Sequence, residues 1–162
     1  MKIVVIGLAG LLLAGCAPKS QPPDAETSQV PPSQVPAYPT DPVGRWMECE
    51  ECDEGERQAV VAMGGAAVQT LAGYLNQGPP AERVAALEQA LRGSYARRAD
   101  TTISEAQWVA RYRANYEAKY RIRAAEALGA IGGAEAQRAL SGFDTASARS
   151  DVREAVRRAL GG

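Results

Sequence analysis

The stretch AMGGAAVQTL at residues 62–71 recurs as AIGGAEAQRA at residues 130–139, an offset of 68 positions. Two consecutive glycines end a helix and let the chain reverse within a few residues, because glycine adopts the left-handed conformation without steric cost. We therefore predict that each copy contains a helix, a two-glycine turn, a second helix, a loop and a third helix. The repeated positions are Ala62, Gly64, Gly65, Ala66 and Gln69, which recur as Ala130, Gly132, Gly133, Ala134 and Gln137.

Turn residues also divide the rest of the chain from Arg45 to Gly162, where Gly or Pro separates alanine-rich segments of helical length. Runs typical of strands are absent from this part of the sequence. The pattern predicts one all-α domain over residues 45–162. Its helices are expected at roughly 53–63, 65–76, 81–98, 104–131, 133–142 and 148–160.

RAAEALGAIGGAEAQRAL (123–140), followed by DVREAVRRAL (151–160), resembles the HEAT-like repeat family. In that pattern A-L-G-x-I-G ends the first helix, A-L closes the second, and V-R-x-A opens the next repeat. Residues 60–91 match moderately, whereas residues 92–122 do not match. The resemblance implies a short α-solenoid of antiparallel helix pairs, a fold that displays surfaces to partners.

The N-terminus has the organisation of an export signal. Lys2 precedes an apolar run from Ile3 to Leu13, which is shorter than the about 20 residues that cross a bilayer. The sequence LAGC that ends at Cys16 resembles the lipobox of bacterial lipoprotein signal peptides. That resemblance implies removal of residues 1–15 and acylation of Cys16, which anchors the chain in a membrane of the cell envelope. Residue 17 is alanine and not aspartate, and the resemblance to Gram-negative lipoproteins then implies the outer membrane. An ordinary secretion signal is the alternative.

Residues 16–44 are predicted to form a disordered tether. Eight of the ten prolines of the chain lie between positions 17 and 44, mixed with Ser, Gln and Thr. Such a composition buries too little apolar surface to offset its chain entropy. At about 3.1 Å per residue in the polyproline II conformation, the tether could hold the domain up to roughly 90 Å from the lipid. A ligand for an SH3-like domain is disfavoured, because Lys19 is the single basic residue among these prolines.

The chain contains no histidine, which removes the commonest general base and the usual nucleophile–histidine pairs. AMGGAA lacks the lysine and the preceding strand of a phosphate-binding loop. We therefore expect no enzymatic activity, no cofactor, no catalytic residue and no small-molecule substrate. Export and a formal net charge of −1 argue against nucleic acid as a partner.

WMECEECDEGE at residues 46–56 places Cys49 and Cys52 three positions apart among acidic residues. In an oxidising compartment, with Cys16 acylated, these two thiols are natural partners, and a structural disulfide is the favoured interpretation. A redox-active pair is less favoured, because the neighbouring acids raise a thiol pKa. A metal site that adds Glu50 or Asp53 would fall short of the usual four Cys or His ligands of structural zinc. The alternative function is thus a thiol-redox or metal-binding envelope protein.

An aromatic stripe lies in the predicted helix 104–131, where Trp108, Tyr112, Tyr116 and Tyr120 recur every four residues and share a helix face. Arg113 and Arg123 are among the basic residues beside it. One interpretation is a binding surface for an envelope protein or a polymer, since Tyr, Trp and Arg dominate binding hot spots. The other is a core stripe whose tyrosine hydroxyls reach the surface. The leading function is a lipid-anchored, non-catalytic scaffold or partner-binding module.

Overall fold

The computed structural model describes residues 36–98 and 102–161. The regular secondary structure of this part of the chain is all helical, without a strand, which confirms the all-α prediction. The signal peptide, Cys16 and the tether up to residue 35 lie outside the described residues. The helices are α1 (Pro42–Glu48), α2 (Glu54–Ala62), α3 (Gly65–Gln77), α4 (Ala81–Tyr95), α5 (Glu105–Ile131), α6 (Gly133–Ser141) and α7 (Ser150–Ala159).

Helices α2 to α7 follow the sequence prediction to within about three residues at each end. Local capping explains the sharpest boundaries. Ser104 accepts a hydrogen bond from the Gln107 backbone N–H, and the Gln107 side chain accepts one from the Ser104 N–H, which forms a capping box at the start of α5. Asp53 caps α2 by accepting from the Glu56 N–H at 2.8 Å.

Helix α1 was not predicted, and it corrects the boundary between tether and domain. The predicted tether ended at residue 44, but α1 begins at Pro42. Proline suits the first turn of a helix because it lacks an N–H, and Asp41 caps the same turn by accepting from the Gly44 N–H at 2.7 Å. Val43 and Met47 are buried in the core, so the last predicted tether residues belong to the domain.

The two copies of the repeated stretch lie beside one another. Gly64 and Gly132 have φ values of +54° and +66°, which are conformations that favour glycine. Both glycine turns line one cavity of about 290 Å³, and the helices that follow them, α3 and α6, pack together. Equivalent turns of the repeat are thus stacked in space.

Helix α5 contacts each of the other six helices of the described chain. Its C-terminal half supplies small residues that let neighbours approach closely. A Cβ atom at Gly129 would lie 2.8 Å from Cβ of Ala159 in α7. The core around it comprises Val43, Trp46, Met47, Cys49, Val60, Ala67, Val68, Leu71, Leu75, Tyr120, Ala124, Ala125, Ala127, Leu128, Ala136, Leu140, Ala155 and Val156.

Candidate functional site

The aromatic stripe predicted on α5 divides into two parts with different surroundings. Tyr120 is only 2% exposed and belongs to the core, whereas Tyr112 is 41% exposed. A spacing of four residues turns the face slowly around the helix, since 3.6 residues make one turn. Trp108 and Tyr112 therefore face the region of α4, and Tyr116 and Tyr120 face α1.

The second part of the stripe surrounds a carboxylate that the sequence analysis did not single out. Glu48 is at the end of α1, and its side chain is 12% exposed. The hydroxyls of Tyr116 and Tyr120 donate to its Oε1 atom at 2.7 and 2.5 Å. Arg83 Nε lies 3.6 Å from Oε1, and Lys119 Nζ lies 4.0 Å from Oε2. A shielded carboxylate is tolerated where donors and cations satisfy it in this way.

Burial and the hydrogen bond to Glu48 raise the pKa of both Tyr116 and Tyr120 well above the ordinary tyrosine value. Both tyrosines are therefore neutral donors at physiological pH. Burial lowers the pKa of Lys119, and the positive charge of Arg123 contributes in the same direction. The cluster holds helices α1, α4 and α5 together and has the character of a structural polar network.

Arg123 acts on the same end of α1. Its Nη1 atom donates to the backbone carbonyls of Trp46, Met47 and Cys49 at 3.0, 2.9 and 2.8 Å. The last carbonyls of a helix lack intrahelical partners and carry partial negative charge, so a guanidinium stabilises them. The Trp46 indole N–H donates to the Arg123 carbonyl at 3.2 Å in return. For Tyr116, Tyr120 and Arg123, these contacts favour the core interpretation over the binding interpretation.

The first part of the stripe forms what we call the α4–α5 surface, made of Tyr95, Arg98, Trp108, Tyr112 and Arg113. The rings of Trp108 and Tyr112 have centroids 4.3 Å apart, and the Arg98 guanidinium lies 3.9 Å from the centroid of Trp108. The Tyr95 hydroxyl donates to the Ile103 carbonyl at 2.7 Å, which holds the start of α5 against the end of α4.

A cavity of about 530 Å³ adjoins this surface between α4 and α5. Its charged residues are already paired. The Nη1 atom of Arg113 lies 3.0 Å from Oε1 of Glu88, and its Nε atom lies 2.8 Å from Oε1 of Glu117. The Nε atom of Arg92 lies 3.7 Å from Oε1 of Glu105. The surface therefore combines an exposed tyrosine, Tyr112, supported by the half-buried Trp108, with a polar rim of compensated charge.

Cys49 and Cys52 are joined by a disulfide, with Cα atoms 5.3 Å apart. This agrees with the disulfide interpretation of the sequence. Cys49 is 5% exposed and ends α1, while Cys52 directly precedes the N-cap of α2. The bridge closes the turn between these helices, next to the carbonyls that Arg123 caps.

Glu48, Arg83 and Glu56 were not predicted as site residues from the sequence. Glu56, in the first turn of α2, has a carboxylate oxygen within 4.8 Å of both cysteine sulfurs. Its Oε2 atom is buried and lacks a hydrogen-bond partner within the described residues. Glu56 lies in an acidic run, and no feature of the sequence distinguishes it there from the neighbouring acids. No sequence pattern marks Arg83 as a site residue.

Together, the fold and these sites define, over the residues that the structure describes, a small all-helical domain with a disulfide-closed turn, a structural polar network and an aromatic surface at which Tyr112 is exposed. Comparison with known proteins found no family model, no curated protein and no solved structure that matches the chain. Among the residues that the structure describes, none of the helices combines the length and apolar character needed to span a membrane.

Proposed function

We propose that this chain is a lipid-anchored protein of the bacterial cell envelope, more specifically of the outer membrane, that acts as a non-catalytic partner-binding module. The sequence LAGC at residues 13–16 and the proline-rich segment after it support the anchor and its tether. The stacked glycine turns of residues 64–65 and 132–133 support a short solenoid of HEAT-like helix pairs.

The observation that carries the binding proposal is the exposed Tyr112, which rests on Trp108 in the α4–α5 surface. The other half of the stripe already has a partner within the domain, because the hydroxyls of Tyr116 and Tyr120 donate to Glu48. Tyr, Trp and Arg side chains bind partners well because they offer large contact area, and a supported ring loses little freedom on binding.

The charges of this surface favour a protein partner over an anionic polymer. Each basic side chain of the adjoining cavity lies within ion-pairing distance of an acid, as Arg113 does with Glu88 and Glu117. A polyanion would have to approach those carboxylates and compete with them for Arg113. A protein can instead cover the aromatic pair with apolar groups and meet the compensated rim with polar ones.

Photo-crosslinking tests the binding proposal. A photo-reactive amino acid replaces Tyr112 in the full chain, expressed and exported in a bacterium, and the control position is Glu135 in α6, whose side chain is 69% exposed. We expect one discrete adduct from position 112 and none from position 135. Trp108→Ala should reduce that adduct several-fold, because the ring that supports position 112 is lost. Equal labelling from both positions would contradict the proposal.

The anchor is tested separately at Cys16. Cys16→Ser should abolish incorporation of labelled palmitate and move the chain from the membrane fraction to the soluble fraction, because stable anchoring requires the acyl chains. The matched control is Cys49→Ser/Cys52→Ser, which should keep the label. Retention of label in Cys16→Ser would overturn the lipoprotein assignment and leave the α4–α5 surface to be judged on its own test.

A further inference from the structure

The turn between α1 and α2 brings three metal-ligating side chains to one point. Ligand atoms of Cys49, Cys52 and Glu56 all lie within 4.8 Å of one another. In a tetrahedral zinc site with Zn–S distances of about 2.3 Å, two thiolate sulfurs are about 3.8 Å apart. The three ligand atoms are therefore already gathered on the scale of one metal ion, with Cys49 at the end of one helix and Glu56 in the first turn of the next.

The second observation is the state of Glu56. Its Oε2 atom is buried without a hydrogen-bond partner in the described chain, although a buried carboxylate oxygen normally has one. A buried acceptor without a partner has a free-energy cost that a cation would remove. One carboxylate oxygen of Glu56 lies within 4.8 Å of both sulfurs, so the buried carboxylate and the two cysteines meet at the same turn.

The other acids of the turn do not compete for this role. Asp53 is engaged as the N-cap of α2, where its Oδ1 atom accepts from the Glu56 N–H at 2.8 Å. Glu50 lies between the cysteines and is exposed to solvent. The structure thus replaces the ligands that the sequence suggested, Glu50 or Asp53, with Glu56.

Two positive groups beside the turn offset part of the charge of an anionic ligand set. Two thiolates and a carboxylate around Zn²⁺ carry a net charge of −1. The guanidinium of Arg123 donates to the Cys49 carbonyl at 2.8 Å and is attracted by the charge of Glu56. The N-terminal end of α2 adds a partial positive charge beside Cys52.

We propose that, when the Cys49–Cys52 disulfide is reduced, Cys49, Cys52 and Glu56 bind one Zn²⁺ ion, with a fourth position open to water or an external ligand. A dithiol reductant transfers two electrons and two protons to the disulfide, becomes a cyclic disulfide itself, and leaves two thiols. Zinc then displaces both thiol protons to solvent as two Zn–S bonds and one Zn–O bond form. Disulfide and metal are mutually exclusive states of one turn, and neither involves the α4–α5 surface.

Co²⁺ and Zn²⁺ titrations test the site. The protein is the full chain with Cys16→Ser, so that Cys49 and Cys52 are its two thiols. After reduction by a dithiol and removal of the reductant, Co²⁺ should produce a thiolate charge-transfer band and the visible absorption of tetrahedral cobalt. One equivalent of Zn²⁺ per chain should abolish both. The oxidised protein should show neither. Absence of the bands in the reduced protein would overturn the proposal.

Matched variants identify the third ligand. Glu56→Gln should weaken Zn²⁺ binding to the reduced protein at least tenfold, because loss of even an outer-shell partner costs 10- to 100-fold in metal affinity. Glu50→Gln is the control and should change the Zn²⁺ affinity of the reduced protein by less than about twofold. Because a tenfold change in affinity corresponds to 1.4 kcal/mol, a twofold change is a much smaller free-energy difference. Equal affinities for the two variants would exclude Glu56 as a ligand.

X-ray absorption of the zinc-loaded, reduced parent protein gives an answer that does not depend on how a variant folds. We expect two sulfur neighbours at about 2.3 Å and oxygen neighbours at about 2.0–2.2 Å. Four sulfur neighbours would mean that two chains share the ion through their cysteines alone, and would contradict a site completed by Glu56.

Discussion

Glu48 shows how one residue can hold three helices. It lies at the end of α1, accepts hydrogen bonds from two tyrosines of α5 and forms an ion pair with Arg83 of α4. Shielding a carboxylate from water costs several kcal/mol unless donors replace the lost hydration. Each donor is therefore worth more when its removal leaves Glu48 unsatisfied than its own hydrogen bond would indicate.

Tyr120→Phe should consequently destabilise the fold by about 1–3 kcal/mol, because it removes a donor to a shielded carboxylate while keeping the buried ring. The free energy of unfolding in urea measures the effect. Tyr112→Phe is the control, since Tyr112 is 41% exposed, and should stay within about 0.5 kcal/mol of the parent. A Tyr120→Phe protein as stable as the control would mean that water or Tyr116 satisfies Glu48 without it.

The same cluster predicts how stability depends on alkaline pH. The pKa values of Tyr116 and Tyr120 are raised in the folded state, chiefly by burial. Below the ordinary tyrosine pKa of about 10, both states hold these protons and the stabilisation is fully present. Above it, the unfolded chain releases the protons that the folded chain retains, so the free energy of unfolding falls as the pH rises.

Urea unfolding between pH 9 and 11 checks this prediction on the parent and on Tyr116→Phe/Tyr120→Phe. The double variant should lose stability less steeply with pH, whatever its starting stability. Lys119, whose pKa is lowered by burial, acts in the opposite direction in both proteins and largely cancels in the comparison. Parallel slopes would show that the tyrosines titrate normally in the folded state.

The sequence could predict that Trp108, Tyr112, Tyr116 and Tyr120 lie along one helix, because their spacing is a local property. It could not predict that one half of the stripe is a surface and the other half a core contact. The partner of Tyr116 and Tyr120 is Glu48, which lies 68 and 72 positions away in the sequence. Glu48 carries no local signal of burial, as acidic residues surround it in the sequence. Contacts at that separation depend on the fold.

At the scale of helices, α5 and α7 approach each other closely at Gly129. A Cβ atom there would lie 2.8 Å from Cβ and 2.9 Å from Cα of Ala159, which is too close for carbon atoms without movement of the backbone. Gly129 is thus required by packing, although glycine lowers helix propensity. The alanines around it belong to the same arrangement of small residues.

Gly129→Ala should therefore destabilise the protein by about 1–3 kcal/mol through overpacking, despite the better helix propensity of alanine. The matched control is Gly73→Ala in α3, where a Cβ atom meets nothing within 4 Å. That change should stabilise the fold by about 0.5–1 kcal/mol. Thermal unfolding of both variants gives the two signs, and a stabilised Gly129→Ala protein would mean that α7 packs further from α5.

Helix boundaries were predictable where residues cap them locally, as at Ser104 and at the repeated glycine pairs. Helix α1 was missed because its sequence signal was ambiguous. Asp41 and Pro42 form a good helix start, but they follow seven other prolines of the tether and resemble its continuation. What makes them helical is burial of Val43 and Met47 against the core, a tertiary effect.

At the scale of the whole molecule, the repeat in the sequence and the packing in space suggest different folding behaviour. A linear solenoid is stabilised through contacts between neighbouring repeats, so its ends can unfold separately. Here α5 contacts α1 and α2 as well as α6 and α7. A perturbation at the last helix can therefore reach the first one through a single rigid element.

Val156→Ala in α7 distinguishes these behaviours. Val156 is 1% exposed, and its truncation should cost about 1.5–3 kcal/mol. In a Trp108→Phe background the fluorescence reports Trp46 in α1 alone, since the chain has two tryptophans. We expect the urea midpoint of Trp46 fluorescence to fall by the same amount as the midpoint of far-ultraviolet circular dichroism, because α5 couples the two ends. A Trp46 midpoint that stays unchanged while the dichroism shifts would show that α7 unfolds on its own, as the terminal unit of a solenoid does.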